Sequence, residues 1–422
     1  MLLMLVVLAA AGCGGSETRD AVPACPRSGP ECVVIPIGQP IYLGTLLWQD
    51  NSVGQDSAAS VDLAVDYLDG GFDGVPGQLL GHDVALLQED EGCTPIDGRI
   101  GARRLVEEPS LLAVVGTSCS GSALGAAASV LAAHGVLLVS PSNTAPGLTS
   151  GDTHDRTYFR TSFNDLIQAS VDADFAYRRN GWTSAAAVHL EGNPYTTQLA
   201  SAFGDAYAAL GGDFRGDIAL GGATTPAVMA RDLARLDPDV IFLVDQVSCV
   251  ESFGAIRANP ALRHTPVVVP DACQVPEIRR AFGDDIPDLY GSGPDFSTVK
   301  TSAFYRDAYL PAYRRLTGGD TLGVFHPQAW DAINLLFDAI RRAAVPTPGG
   351  GLVIEREALR RAMLVVQGYD GLSGRLTCGT LGDCAESARI AVYRYPDWPV
   401  NRPDAKPVFS QLKTLAQVAS TG

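Results

Sequence analysis

The sequence of 422 residues has few basic residues and none of the common catalytic or phosphate-binding motifs. Its 31 Lys and Arg stand against 47 Asp and Glu, and this net charge of −16 has the wrong sign for holding a phosphate backbone. No P-loop, Rossmann glycine fingerprint or H-E-x-x-H motif occurs, and its six His are scattered. The segment from Gly116 to Ser120 ends in Ser where the G-x-S-x-G nucleophile elbow requires Gly. These absences predict a protein that is not an enzyme, with no cofactor, no metal and no nucleic-acid partner.

The only long apolar run covers residues 1–12, which is too short for a bilayer core that needs about 20 residues. It predicts a secretion signal over 1–12. Ala10, Ala11 and Gly12 then lead into Cys13, a pattern that resembles the lipobox of bacterial lipoproteins. Cys13 is therefore the expected lipid anchor, the sole membrane contact, and residues 13–38 the tether. An ordinary signal peptide with an incidental Cys13 is the alternative, and a true start further upstream is also open because no Lys or Arg precedes the run.

The nine cysteines are too many for a reduced cytosolic chain of this kind, and none has C-x-x-C spacing. With Cys13 set aside for lipid, eight remain, and eight allow 105 connectivities. Our hypothesis pairs sequence neighbours: Cys25 with Cys32, Cys93 with Cys119, Cys249 with Cys273, and Cys378 with Cys384.

Composition and periodicity predict a two-lobed α/β protein. The sequence is 46% hydrophobic and 18% charged, which is globular composition, and the length suits two domains. Short apolar runs alternate with amphipathic helical patterns, the rhythm of a doubly wound parallel sheet. Predicted strands cover 41–47, 84–87, 111–115, 136–139, 185–190, 240–244 and 266–269. We assign 39–160 plus 294–345 to the N-terminal lobe and 161–293 plus 346–410 to the C-terminal lobe, joined by three crossings near 158–165, 291–295 and 345–351.

Ligands of open α/β sheets bind beyond the carboxyl ends of strands, so the residues just after each apolar run are candidates. A Ser-rich turn, 116–122, opens directly into an Ala-rich helix. Its N–H groups and the hydroxyls of Ser120 and Ser122 suit a carboxylate, or these serines merely cap the helix. The rigid turn 140–146 follows the next strand, and Asp271 follows a strand of the second lobe.

These segments resemble the type I periplasmic solute-binding proteins, in particular the branched-chain amino-acid (Leu/Ile/Val) binding proteins of ABC importers. The resemblance covers roughly 39–345 and is strongest over 114–149, where VVGTSCSGSALGAAASVLAAHGVLLVSPSNTAPGLT matches the family's strand, Ser-rich turn, helix, strand and Ser-Pro turn. Weaker matches are the segments 158–161 and 192–195 and the helix 329–340.

The resemblance implies a set of ligand-binding residues. The Ser-rich turn, with Ser118 and Ser120, would hold a ligand carboxylate, and Ser142 and Thr144 would bind the amino-acid head group. Tyr195 looks like the family's second-lobe aromatic residue, and Asp271 like the acid that receives the ammonium. The family's disulfide from the loop after the second strand to the Ser-rich turn supports the pairing of Cys93 with Cys119.

Three departures from the family pattern indicate a more polar pocket than one for leucine. The acid is commonly Glu, whereas Asp271 is one methylene shorter. The aromatic residue that often covers the ligand is Val53 here, with Trp48 as its substitute. Gln246 falls near a frequent aromatic position and is either a pocket residue or a solvated loop residue.

The resemblance implies a lipid-anchored receptor, in the periplasm or at the cell surface, that captures a small amino acid or amide-like solute. Its expected partners are this ligand and the permease of an ABC transporter. The alternative is a sensor of the same fold that signals to a partner protein.

Overall fold

The computed structural model describes residue 25, residues 27–398 and residues 405–419. The predicted signal 1–12, Cys13 and part of the predicted tether lie outside these residues. Within the described ranges, no helix is both long and apolar enough to cross a membrane.

In the described residues, the strands form two large sheets, a three-stranded sheet and a two-stranded ribbon. Their bounds are β1 (Cys32–Ile35), β2 (Ile41–Leu47), β3 (Gln78–Leu79), β4 (His82–Asp90), β5 (Leu111–Gly116), β6 (Leu137–Ser140), β7 (Tyr158–Arg160), β8 (Ser184–Leu190), β9 (Asp213–Leu220), β10 (Val240–Leu243), β11 (Val267–Val269), β12 (Leu289–Pro294), β13 (Ala344–Pro346), β14 (Leu352–Glu355), β15 (Tyr369–Asp370), β16 (Arg375–Leu376), β17 (Ser387–Arg394) and β18 (Phe409–Thr414).

The helices flank the sheets. They are α1 (Ser52–Asp66), α2 (Pro95–Leu105), α3 (Ser120–Ser122), α4 (Ala128–Ala133), α5 (Asp165–Ala173), α6 (Pro194–Ala209), α7 (Pro226–Leu236), α8 (Cys249–Ala258), α9 (Pro276–Phe282), α10 (Ser297–Thr301), α11 (Leu310–Thr317), α12 (His326–Ala343), α13 (Arg356–Leu364) and α14 (Leu415–Ala419). A π-helical turn, Ala123–Ala127, joins α3 to α4.

Each lobe is built on one mainly parallel sheet. The first-lobe sheet has the order β3-β4-β2-β5-β6-β7, and the second-lobe sheet the order β18-β17-β12-β11-β10-β8-β9. Only β3 in the first, and β17 and β18 in the second, run antiparallel to their neighbours. Helices cover both faces of each sheet, which explains why central strands such as β5 are apolar throughout. The predicted two-lobed α/β fold is confirmed.

Several helices begin at a cap followed by proline. Thr94, Asn193 and Thr225 each accept a backbone N–H in the first turn of α2, α6 and α7, and a proline follows each of them. These caps satisfy donors that the helix itself leaves free, and proline lacks the N–H that would otherwise be unpaired. They place the starts of α2 and α6 at the edge of the cleft.

Two segments do not follow the predicted division of the chain into tether, lobes and crossings. Strand β1, inside the predicted tether, pairs with β14, and apolar residues of β14 and α13 join the first-lobe core. The predicted crossing at 345–351 is instead the turn of a hairpin between β13 and β14. Its Pro and Gly residues indicate a tight turn but not which elements the turn connects. The chain enters the second sheet again only at β17, after the loop closed by Cys378 and Cys384.

Candidate functional site

A cavity lies between the lobes, beyond the carboxyl ends of the parallel strands. Its wall comes from the segments that follow β2, β5 and β6 in the first lobe and β8, β10 and β11 in the second, together with one residue before α12. The lining residues are Trp48, Asn51, Val53, Ser118, Cys119, Ser120, Ser142, Thr144, Tyr195, Gln246, Asp271, Ala272 and Phe325.

All eight residues predicted to contact a ligand line this cavity: Trp48, Ser118, Ser120, Ser142, Thr144, Tyr195, Gln246 and Asp271. The sequence positions they come from span more than 220 residues, and the two sheets bring them to one place. That they bind a ligand stays a prediction. Trp48 takes a place on the wall beside Val53, and Gln246 lines the cavity instead of a solvated loop.

The cavity is small. Its volume is about 50 Å³, counted as the space open to the centre of a water molecule. One buried water occupies roughly 10–15 Å³, so the space holds more than one water-sized group. In this arrangement of the lobes, a small ligand fits better than a bulky one.

Hydroxyl groups of the first lobe tie the cavity loops together. Ser118 Oγ accepts the Trp48 N–H at 3.0 Å, and Ser120 Oγ accepts the Ala145 N–H at 3.3 Å. Because a hydroxyl has one donor and two acceptor sites, both serines retain an O–H to donate. Ser142 Oγ donates to the Ser118 carbonyl at 3.1 Å, which leaves it as an acceptor. This face therefore offers donors at one point and an acceptor beside it.

The serines of the Ser-rich turn do not cap the helix that follows. Cys119 is the N-cap residue, and its side chain makes no capping bond. Ser122 Oγ donates instead to the Thr94 carbonyl at 3.1 Å. The first-turn N–H groups of a helix lack intrahelical acceptors and carry partial positive charge, which favours an anion at this point.

A buried glutamate that sequence reasoning missed is hydrogen-bonded to the Ser-rich turn. Glu91 follows β4, is fully buried, and its Oε1 accepts the Cys119 N–H at 2.8 Å. Burial raises the pKa of Glu91 to about 8, so the carboxyl is mostly neutral at pH 7 and does not repel a ligand carboxylate. The Cys93–Cys119 disulfide fixes the same turn, and all four predicted disulfides are present. The acidic run 89–91 at the end of β4 was the sequence signal that could have pointed to Glu91.

The second-lobe face is acidic. Asp271 lines the cavity, and the Gln168 side chain donates to its Oδ1 at 3.4 Å. Burial raises the pKa of Asp271 to about 7. The buried hydroxyl of Tyr195 has no hydrogen-bond partner among the described residues, so it is available to a ligand. Among the described lining residues there is no Lys or Arg.

Two further carboxyl groups stand behind Asp271, and sequence reasoning missed both. Asp165 is buried, and its N–H donates to the Thr144 carbonyl at 2.9 Å. Asp172 is buried on the same helix and accepts from Ser292 Oγ at 2.8 Å. Burial, with the charge of Asp271 added, raises the pKa of both carboxyls well above the usual range. Their spacing with Gln168, at i, i+3 and i+7, places three polar residues on one face of α5, and this pattern was the missed signal.

A buried arginine links the first crossing to the Ser-Pro turn. Arg160 donates to the carbonyls of Asn143 and Ala145, at 3.3 and 2.9 Å, and to Thr149 Oγ1 at 2.6 Å. Its Nε pairs with Asp383 Oδ1 at 2.6 Å, and Asp383 lies in the loop closed by the last disulfide. The third passage of the chain between the lobes thus holds a turn that lines the cavity.

Two hinged α/β lobes with a polar cleft between them define a solute-binding architecture, with no cluster of His, Cys, Asp or Glu suited to a metal in the part of the chain that the structure describes. The chain belongs to the periplasmic binding protein family, whose model matches residues 48–394. The predicted resemblance is confirmed at this level.

Two sequence relatives match parts of the chain. One is the chemotactic signal transduction system substrate-binding protein BasB of Halobacterium salinarum, 31% identical over 222 residues, which are 49% of this chain and 50% of BasB. The other is Leu/Ile/Val-binding protein homolog 3 of Brucella melitensis, 33% identical over 127 residues, 30% of this chain and 33% of that protein. The chain thus spans about half and a third of these relatives' lengths.

Solved structures share the whole fold at low identity. The leucine-binding protein LivK of Thermotoga maritima superposes with a TM-score of 0.71 at 17% identity, over 89% of this chain and 99% of LivK. LivJ of Streptococcus pneumoniae, solved with isoleucine, gives 0.69 at 18% identity over 89% and 99%. A solute-binding protein of R. palustris, solved with benzoate, gives 0.68 at 17% identity over 89% and 96%. These likenesses show the fold alone.

Proposed function

We propose that this protein captures a small amino acid or a related amine between its lobes and delivers it to an ABC importer. The observation that carries the proposal is the division of charge in the cavity. Hydroxyls and a helix start form the first-lobe face, and the carboxyl of Asp271 lies on the second. A ligand with a carboxylate at one end and an ammonium at the other would satisfy both faces.

The same charge distribution disfavours a simple aromatic acid, although a neighbouring structure holds benzoate. Such a ligand brings an anion and no cation to a cavity with one carboxyl group, that of Asp271, and no Lys or Arg among its described lining residues. Leaving a buried carboxylate without a partner costs free energy. We therefore expect amines and amino acids to bind more tightly than benzoates.

A thermal-shift screen of the purified mature protein against amino acids, amides, polyamines and organic acids, benzoate included, tests the ligand class. A ligand at 100 times its dissociation constant adds about 2.7 kcal/mol to the free energy of unfolding, a clear shift. Stabilisation by small amino acids supports the proposal, and stabilisation by benzoates alone contradicts it. Mass spectrometry of the same mixtures should show no turnover.

We also propose that Cys13 anchors the exported protein to the membrane through lipid, as the small residues before it and the Gly-Gly-Ser after it suggest. Expressed with its own leader, the wild type should partition into detergent, whereas Cys13→Ser should remain in the aqueous phase or uncleaved. A wild type with a free Cys13 thiol contradicts the anchor but leaves ligand binding untouched.

The second candidate function is that of a sensor that signals to a partner protein. It is favoured by the similarity to BasB, which extends over half of the length of BasB. Both functions use the same closed form, so binding data do not separate them. Deletion of the gene does: loss of uptake of labelled ligand supports the importer role, and loss of taxis towards the ligand with normal uptake supports the sensor role.

A further inference from the structure

The lobes also touch through neutral hydrogen bonds at the rim of the cavity, one between residues outside its lining and one between residues of the lining. The Gly147 N–H of the first lobe donates to Oε1 of Gln198, on α6 of the second lobe, at 2.7 Å. A second contact joins Gln246 Nε2 to Cys119 Sγ at 3.4 Å, with Asn193 Nδ2 donating to the other end of the Gln246 amide at 3.1 Å. We call these the rim contacts.

Gln198 differs from Gln246 because it does not line the cavity. It lies one helical turn into α6, half-buried, and faces the 3₁₀ turn Pro146–Leu148 that ends the Ser-Pro segment. A Cβ atom at Gly147 would come within 3.0 Å of Gln198 Nε2, so the absent side chain permits the close approach. Gln198 is therefore placed to bond the opposite lobe without touching a ligand.

We propose that Gln198 is a positioning residue that stabilises the closed arrangement of the lobes, and so sets how much of the protein is ready to hold its ligand. The proposal rests on the proposed function for its effect on affinity, but not for its effect on closure. The apparent affinity of a site that exists only in the closed form falls in proportion to the closed fraction. Neutral bonds at the rim change that fraction at any pH and salt concentration.

The experiment compares the wild type with Gln198→Ala, Gln198→Glu and Ser201→Ala. Glu keeps an acceptor for the Gly147 N–H, and Ser201 is an exposed residue of the same helix. Small-angle scattering of the ligand-free proteins measures closure, calorimetry with L-alanine measures affinity, and thermal unfolding checks the fold.

Gln198→Ala should increase the radius of gyration and weaken L-alanine binding about twofold to tenfold, the loss of one neutral hydrogen bond. Its melting temperature should stay near that of the wild type, and the Glu and Ser201 variants should resemble the wild type in all three measurements. An unchanged radius of gyration in Gln198→Ala overturns the proposal, as does weaker binding accompanied only by a lower melting temperature. If the wild type does not bind L-alanine or any other amine, the proposed function fails, and the scattering result still decides the role of Gln198.

Discussion

The two faces of the cleft differ in whether their polar groups already have hydrogen-bond partners. On the first-lobe face, Ser118, Ser120 and Ser142 already bond neighbouring loops, so their geometry is set before a ligand arrives. On the second-lobe face, the Tyr195 hydroxyl has no hydrogen-bond partner among the described residues, and the Asp271 carboxyl accepts from Gln168 at 3.4 Å. Buried polar groups without partners cost free energy, which a cationic ligand group offsets. The first face therefore supplies shape, and the second supplies the preference for charge.

The largest effect is expected for Asp271→Asn, which keeps the size of the side chain and removes its charge. An ammonium left without its buried partner loses about 3–5 kcal/mol, or more than a hundredfold in affinity. Calorimetry with the ligand from the screen measures it, and Asp285→Asn, at an exposed position, serves as the control. Equal affinity in the two variants would show that no ammonium binds at Asp271.

The second change tests whether the ion pair between Arg160 and Asp383, at the third crossing, stabilises the first-lobe face. Asp383→Asn leaves the buried Arg160 without its counter-charge, and we expect the free energy of unfolding to fall by about 3 kcal/mol. Denaturant titration measures the loss. The matched control is Asp320→Asn, which breaks an exposed pair with Arg314 and should cost at most about 1 kcal/mol. Similar losses in both would remove the argument that Arg160 holds the Ser-Pro turn.

A smaller effect is expected on the first-lobe face itself. Ser120→Ala removes one hydroxyl donor, and affinity should fall by about 1.5–3 kcal/mol because backbone N–H groups remain to hold the carboxylate. Ser122→Ala, two residues away and outside the cavity lining, should leave affinity unchanged in the same calorimetric titration. A loss in Ser122→Ala as large as that in Ser120→Ala would place the effect in the turn's structure, not in a ligand contact.

The last test is pH, whose effect is smallest close to neutral pH. The pKa of Asp271 is raised to about 7, so the free protein carries a proton there below pH 7 that an ammonium must displace. Affinity should fall about tenfold for each pH unit below 7. Stability has the opposite sign: a carboxyl whose pKa is raised by folding contributes stability that is full below its unfolded pKa, near 3.8, and is lost as the pH rises through 7. Calorimetry and unfolding between pH 5 and 8 should show both slopes. Asp271→Asn should lose the slope in affinity and flatten the slope in stability, to which Glu91, Asp165 and Asp172 also contribute.

Much of the fold could be predicted because buried parallel strands are short apolar runs between helices. Strand β2 has the predicted bounds, and β5, β6, β10 and β11 fall within a residue or two of theirs. Strand β9 was missed because this edge strand alternates exposed and half-buried residues, with Asp213, Arg215 and Asp217 among them. Strand β12 was missed too, since its Gly and Pro residues are typical of a turn.

In the candidate site, too, some residues could be predicted from the sequence and others could not. Residues directly after predicted strands, such as Ser118, Ser142 and Asp271, could be found because the carboxyl ends of parallel strands share one edge of a sheet. Asp165 and Asp172 were overlooked because their polar stripe on α5 does not reveal which elements that helix face packs against. Glu91 was overlooked because the acidic run 89–91 does not reveal which of its members is buried, and Glu89 and Asp90 are not.

The alternation of strands and helices, the two-lobed class and the strand-end residues of the cavity could be predicted because they depend on local periodicity and on neighbours along the chain. The disulfide pairing was a hypothesis among 105 connectivities, and the structure contains the four predicted bonds. Which carboxyl groups lose water, where the third crossing lies and which amides meet across the cleft depend on burial and on distances between segments such as 147 and 198, which patterns along the chain do not specify.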